Sequence, residues 1–224
     1  MIDWPAIDTV LLDMDGTLLD LHFDSHFWLD HLPRRYAELH KLDEATQEVV
    51  RARIIAEQGT LNWYSLAYWS RELDVDIVAL KREVQHLIGL RGDALDFLTW
   101  LKQAHPRVVL ATNADRESLA LKLPVTGLDD YLDAIVSSAD VGEAKEEQAF
   151  WHALNEIEPF DPKRTLFIDD NPRVLESARA YGIRHLLGIL KPDSQSPERE
   201  LTGFVALDRF ADILPSPVTE ERHG

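Results

Sequence analysis

Two carboxylates one residue apart, Asp13 and Asp15, stand directly after the apolar run Thr9-Val10-Leu11-Leu12 and directly before Gly16 and Thr17. A short, β-branched-rich run of this kind reads as a buried strand. Alternate strand residues point the same way, but glycine marks where a chain leaves its strand. Asp13 is therefore expected as the last strand residue, with Asp15 curling back over it from the loop. Two carboxylates held together at a strand edge repel each other and lose hydration, and a cation between them relieves both effects. Hard divalent cations choose oxygen ligands, and Mg2+ takes one or two carboxylates together with waters and a substrate phosphate. The same residues also fit a plain turn, since Asp and Gly are common there. The rest of the chain decides between the two.

Three further apolar runs end on polar side chains. Residues 107–111 close on Thr112 and Asn113, residues 134–137 lead to a loop (141–145) carrying Lys145, and residues 165–168 end on Asp169 and Asp170. Each has an ordinary reading alone. Asp169-Asp170-Asn171-Pro172 fits a turn and helix cap, Thr112 could satisfy a backbone group, and Lys145 could be a solvated surface lysine. Ligands of open α/β sheets, however, bind beyond the carboxyl ends of the strands. Carboxylates, a hydroxyl and an amine converging there are what phosphoryl transfer requires. One carboxylate attacks phosphorus and a metal neutralises the phosphoryl oxygens. A second acid protonates the leaving oxygen and then activates water, while a lysine and a hydroxyl hold the remaining charge.

The elements that must position these groups alternate along the chain. Helices are expected from a cap at Asp93 through Leu101, over 116–123, over 146–157, and through Val174, Ala178 and Tyr181, with a last strand over 184–188. Strands separated by helices predict an α/β fold with a Rossmann-like parallel sheet core flanked by helices. Between 22 and 89 the periodicity is helical, with Asp43, Thr60 and Asp76 as caps, which predicts an inserted four-helix subdomain of about 65 residues. The expected division is a core of 1–20 and 90–214, an insert of 21–89, and a polar tail, 215–224, that frays.

Lys and Arg total 23 against 40 Asp and Glu, a net charge of −17 over 224 residues. Such a surface repels nucleic acid polymers and anionic membranes. It also repels a phosphate ester, so the site needs local cations. Having no cysteine, the chain has no disulfide, thiolate metal site or cysteine nucleophile. The N-terminal stretch lacks the basic and apolar regions of a secretory signal, and no apolar run approaches the roughly 20 residues of a membrane span. A cytoplasmic location is expected, as a monomer or homodimer.

Over roughly residues 8 to 190 the chain resembles the haloacid dehalogenase-superfamily phosphatases. DMDGTL is similar to the first motif of that superfamily, VVLATN to the second, the Lys145 loop to the third and LFIDDNP to the fourth; the run TGLDDYLDAIVSSADVGEAKEEQAFW is similarly worded. The resemblance implies a Mg2+ cofactor and an aspartyl-phosphate intermediate. Asp13 would be the nucleophile and a metal ligand, and Asp15 the general acid/base with its main-chain carbonyl on the metal. Thr112, Asn113 and Lys145 would bind the phosphoryl group, and Asp170 would ligate the metal with Asp169 in support. Relatives often carry another Asp or Asn four residues after the last metal ligand; here Val174 stands there, leaving a water or Asn171 to complete the outer shell. Dehalogenases of the superfamily lack an acid at the Asp15 position and need no metal, so Asp15 argues for phosphate chemistry.

By the same resemblance the insert is similar to the superfamily's helical cap (C1-type), with hinges at 20–22 and 89–92. LDLHFDSHFW and GTLNWYSLAYWSREL resemble the bacterial GMP/IMP 5′-nucleotidases. The implied function is a 5′-nucleotidase acting on purine mononucleotides. Phe23, Phe27, Trp28, Trp63, Tyr64, Tyr68 and Trp69 supply aromatic faces that could stack on a purine. Most are expected to pack the cap, with one or two against the base and Asn62 available to read a base edge. His22, Asp24 and His26 are expected in a local polar network. The alternatives are a sugar-phosphate phosphatase or phosphomutase, and a non-catalytic Mg2+-dependent binding protein.

Overall fold

Alternate residues of the central strands enter two different cores. In the computed structural model, which describes residues 2–215, β1 is Thr9–Leu12, β2 Arg107–Thr112, β3 Ala134–Ser137, β4 Thr165–Asp169, β5 His185–Ile189 and β6 Val205–Leu207. Val10, Leu12, Val108, Leu110, Leu166 and Ile168 join one apolar cluster. Leu11, Val109, Ala111 and Phe167 join the other. Burial on both faces explains why these strands are continuous apolar runs rather than alternating ones. All neighbours pair in parallel, in the order β3-β2-β1-β4-β5-β6. The chain order reverses direction beside β1, so β1 and β4 flank the crevice where such sheets bind ligands.

Phe150, Trp151 and Leu154 of helix Gln148–Ile157, with Leu175 and Ala178 of helix Pro172–Tyr181, cover the second face. Phe97, Leu98 and Leu101 of helix Ala94–Ala104 cover the first, together with Phe23, Phe27, Trp69 and Leu80 of the insertion. Each fully buried side chain of this size contributes about 1.5–3 kcal/mol. The insertion therefore shares a core with the sheet.

That insertion has the four expected segments. The first runs from His22–His26 through a π-helical turn, Phe27–His31, into Leu32–His40. Ala45–Ala56 is the second, and the third breaks at Ser65 into Leu61–Tyr64 and Leu66–Leu73. Ile77–Glu83 is the fourth. Thr60 accepts from the Trp63 amide and Asp76 from Ala79, as their cap positions predict, while Asp43 stands one residue before the cap position, Glu44, and accepts from the Thr46 amide. The break arises because Ser65 is extended and caps a new helix at the Tyr68 amide. Where the insertion leaves and rejoins the sheet, the two crossings pair: the Asp20 amide donates to the Gly89 carbonyl and the Arg91 amide to the Leu18 carbonyl, both at 2.9 Å.

Several boundaries differ from expectation. β1 ends at Leu12; the Asp13 amide still donates to the Ile168 carbonyl at 3.0 Å, but the next residue turns away. The Met14 carbonyl accepts from Thr17, Leu18 and Leu19, closing a tight loop. Gly16 has φ +82°, and a Cβ there would stand 2.8 Å from Asp170 Cγ, so only glycine fits. Thr112 and Asp169 belong to their strands, β5 starts one residue later than expected, and the helix at 116 continues through Pro124 to Thr126. The helix expected over 146–157 starts at Gln148. Asp93 does not cap its helix, because its carboxylate accepts from the Ala211 amide instead. β6 and the turn Phe210–Ile213 were not anticipated; Phe210 stacks on Phe97 at 4.6 Å. The tail beyond Pro215 lies outside the described residues. No described helix is long and apolar enough to cross a membrane.

Candidate active site

β1 and β4 are hydrogen-bonded neighbours, so the residues at their carboxyl ends meet. Asp13, Asp169 and Asp170 are all buried, and one oxygen from each lies within 4.8 Å of the others. Lys145 enters between them: its Nζ is 2.5 Å from Asp13 Oδ1, 2.7 Å from Asp169 Oδ2 and 3.0 Å from the Ala111 carbonyl. Burial pushes Asp13 up to about 7 against the pull of Lys145, and Asp169 up to about 6. Asp170 rises to about 7 through burial and the charge of Asp13, with Arg199 opposing. Burial would lower Lys145, but Asp13 and Asp169 hold it above the ordinary lysine range. Three crowded carboxylates, with Lys145 shared by Asp13 and Asp169 and Arg199 beside Asp170, form an oxygen donor set suited to a hard divalent cation.

Lys145 is aimed by the loop that carries it. Asn113 Oδ1 accepts from the Lys145 amide at 2.9 Å, and Asn113 Nδ2 donates to Glu146 at 3.0 Å. The Trp151 indole donates to the Lys145 carbonyl at 2.9 Å. The side chain of Asn113, expected among the phosphate-binding groups, is thus committed to the Lys145 loop. Thr112 is buried and lines the cavity, its hydroxyl accepting from the Ala114 amide. Asn171 caps its own helix at the Arg173 amide and reaches Glu146, so its amide is turned away from a metal role. Val174 is buried at the same edge, and Arg199 donates to Asp170 Oδ2 at 3.0 Å.

Asp15 faces a different set of partners. Its Oδ1 accepts from Lys122 at 2.7 Å; Lys122 also donates to Asp24 Oδ2 at 2.5 Å, and Lys81 donates to Asp24 Oδ1 at 2.6 Å. Burial raises Asp15 despite Lys122. Burial would also raise the half-buried Asp24, but Lys122 and Lys81 both pull it down and hold it at about 2. Sequence reasoning passed over both lysines and placed Asp24 with His22 and His26. Those histidines instead stand 3.7 Å from Asp193 and Asp30. A signal was available: Lys122 falls three residues after the buried Leu119, and Lys81 four after the buried Ile77, on apolar helix faces.

One cavity of about 520 Å³ joins the two sets. Asp13, Asp15, Thr112, Lys145 and Asp170 line one part, while Trp28, Trp63 and Tyr64 line it from the insertion. Trp28 and Trp63 are stacked at 6.2 Å and 29°. Phe23, Phe27, Tyr68, Trp69 and Asn62 are not in the lining; Phe23, Phe27 and Trp69 are core residues. The Tyr64 hydroxyl donates to Glu146 at 3.0 Å, tying the insertion to the Lys145 loop.

Known proteins resemble this chain in sequence and fold. The family model for haloacid dehalogenase-like hydrolases matches residues 7–182. The chain is 41% identical over 216 residues to GMP/IMP nucleotidase YrfG of Escherichia coli, covering 96% of this chain and 97% of that one. It is 22% identical over 213 residues to a phosphorylated carbohydrates phosphatase of Thermotoga maritima, covering 93% and 97%. Among solved structures, a HAD phosphatase from Thermococcus onnurineus superposes with a TM-score of 0.73 at 19% identity, covering 92% of this chain and 95% of that one.

Proposed function

The chain belongs to the haloacid dehalogenase-like hydrolases, and from that premise we propose that it is a Mg2+-dependent 5′-nucleotidase hydrolysing GMP and IMP to nucleoside and phosphate. The observation that carries this reading is the shared cavity, with a carboxylate-lysine cluster in one part and stacked tryptophans in another. The first suits a phosphoryl group and the second a purine face.

In this reading Asp13 attacks phosphorus. Lys145 occupies its Oδ1, so Oδ2 forms the new bond. As the bond from phosphorus to the 5′ oxygen breaks, Asp15 gives its proton to that oxygen and the nucleoside leaves. Water then attacks the aspartyl-phosphate, Asp15 takes the water's proton, and Asp13 is regenerated as phosphate departs. Thr112 and Lys145 hold the phosphoryl oxygens, and Asn113 acts by aiming the Lys145 loop. Asp13, Asp170 and the Asp15 carbonyl, with Asp169 in support, would hold Mg2+, which would supply neutralisation of phosphoryl charge and alignment of the reacting oxygens. Residues 21–89 act as a cap on the core of 1–20 and 90–214, closing over the cavity about the paired crossings near Asp20 and Gly89. The enzyme works in the cytoplasm.

The test is phosphate release from GMP, IMP, AMP, CMP and glucose 6-phosphate, with Mg2+ and with EDTA. Metal-dependent release fastest on GMP and IMP is expected. Equal release from every ester would discard the purine selectivity and keep the phosphatase. No release from any would favour a non-catalytic binding protein.

A further inference from the structure

Lys122 and Lys81 are each only 1% exposed. A buried ammonium is unfavourable unless its charge and donors are matched. Asp24 matches both: Lys122 reaches its Oδ2 and Lys81 its Oδ1. The rings of Phe23, Phe27 and Trp28 surround Lys81, with centroids 4.9, 4.8 and 5.2 Å from its Nζ. The remaining contact of Lys122 is with Oδ1 of Asp15. Two acids and two lysines thus form one line, neutral when both acids are ionised. It begins in the loop after β1, passes through helix Arg116–Thr126, and ends between the first and fourth segments of the insertion.

The line constrains Asp15 in a particular way. Lys122 takes Oδ1, whereas among the described residues nothing bonds to Oδ2, and the Asp15 side chain keeps 22% of its surface on the cavity it lines. We propose that Lys122, braced by Asp24, is a positioning residue that pins one oxygen of Asp15 so that the other faces the leaving oxygen of the substrate. Lys122 does not touch the phosphoryl group in this scheme. Its effect passes through Asp15, and the placement of Asp24 makes that effect depend on the insertion being docked. The inference rests on Asp15 being the general acid.

Leaving-group dependence tests it. The 5′ oxygen of IMP must be protonated as it departs, while p-nitrophenolate leaves without a proton. Asp15→Asn sets the benchmark: kcat/KM for IMP should fall much further than kcat/KM for p-nitrophenyl phosphate. Lys122→Met, which keeps most of the side-chain volume and leaves Asp24 paired with Lys81, should lower kcat/KM for IMP about 30-fold. The loss on p-nitrophenyl phosphate should stay within about threefold, with KM little changed. Asp24→Asn should act in the same selective direction by about fivefold, and it carries the test if Lys122→Met does not fold by circular dichroism. Equal losses on both esters in a folded variant would overturn the positioning role. An unselective Asp15→Asn would instead overturn the general-acid reading, and the inference with it.

Discussion

The two parts of the cavity are built on different principles. Asp13, Thr112, Asp169 and Asp170 sit at strand ends, where main-chain pairing between β1, β2 and β4 fixes their spacing before any side chain is chosen. Asp24, Trp28, Trp63 and Lys81 sit on helices of the insertion, where orientation depends on how helices pack. In the proposed reading the strand ends serve the reaction that every phosphate ester shares. Trp28 and Trp63, in the same reading, meet the part of a substrate that differs from one ester to the next, while Asp24 and Lys81 brace Lys122. On that reading shared chemistry and substrate recognition fall largely to separate stretches of one chain, joined where Lys122 bridges Asp15 and Asp24.

The strongest way to break this division is Asp13→Asn. Loss of the nucleophile should lower kcat by at least about a thousandfold on every ester, nucleotide or not. Phosphate release on IMP and p-nitrophenyl phosphate measures it, and a variant that kept wild-type rates on either would end the nucleophile assignment. Trp63→Ala should instead separate the substrates. With a stacking surface removed, KM for GMP and IMP should rise about tenfold while kcat and p-nitrophenyl phosphate turnover change little. Equal effects on both ester types would place Trp63 with the common chemistry.

A smaller effect concerns pH and metal. Folding raises Asp13 and Asp170 to about 7 and Asp169 to about 6, above the ordinary carboxylate value of 3.8. The protonated forms therefore favour the fold. Their stabilisation is complete below about pH 4 and is lost as pH rises through 6 to 7. Mg2+ needs the ionised forms, so its stabilisation should run the other way, weak at pH 5 and stronger at pH 8. Thermal midpoints with Mg2+ and with EDTA across that range give the answer. An Asp170→Asn variant should show a flatter dependence, and Trp63→Ala should leave it unaltered.

The strand-end cluster was legible because each acid follows a local apolar run, so a few adjacent residues carry the whole signal. Asp13 was misplaced by one residue only because the Met14 carbonyl gathers three amides and turns the chain early. Asp24, Lys81 and Lys122 were not read because their partners lie 57 to 107 residues away. A charged residue on a helix is ordinarily solvated, and only packing shows that these three are not. Among the aromatics, periodicity could not separate Trp28 and Trp63, which line the cavity, from Phe23 and Phe27, which do not. β6 was missed because it is three residues long with two of them exposed.

The paired crossings at Leu19 and Leu90 carry a consequence for how such a chain changes over time. They close the insertion into a loop of roughly 70 residues whose two ends are stitched at one point. Loop-closure entropy grows only with the logarithm of length, so this loop costs about 2.5 kcal/mol more to close than a four-residue turn. Lengthening, shortening or replacing what lies beyond the stitch is correspondingly cheap in chain entropy. What resists exchange is the lattice of buried side chains that the segment shares with the sheet, so a foreign segment would have to arrive with matching apolar teeth.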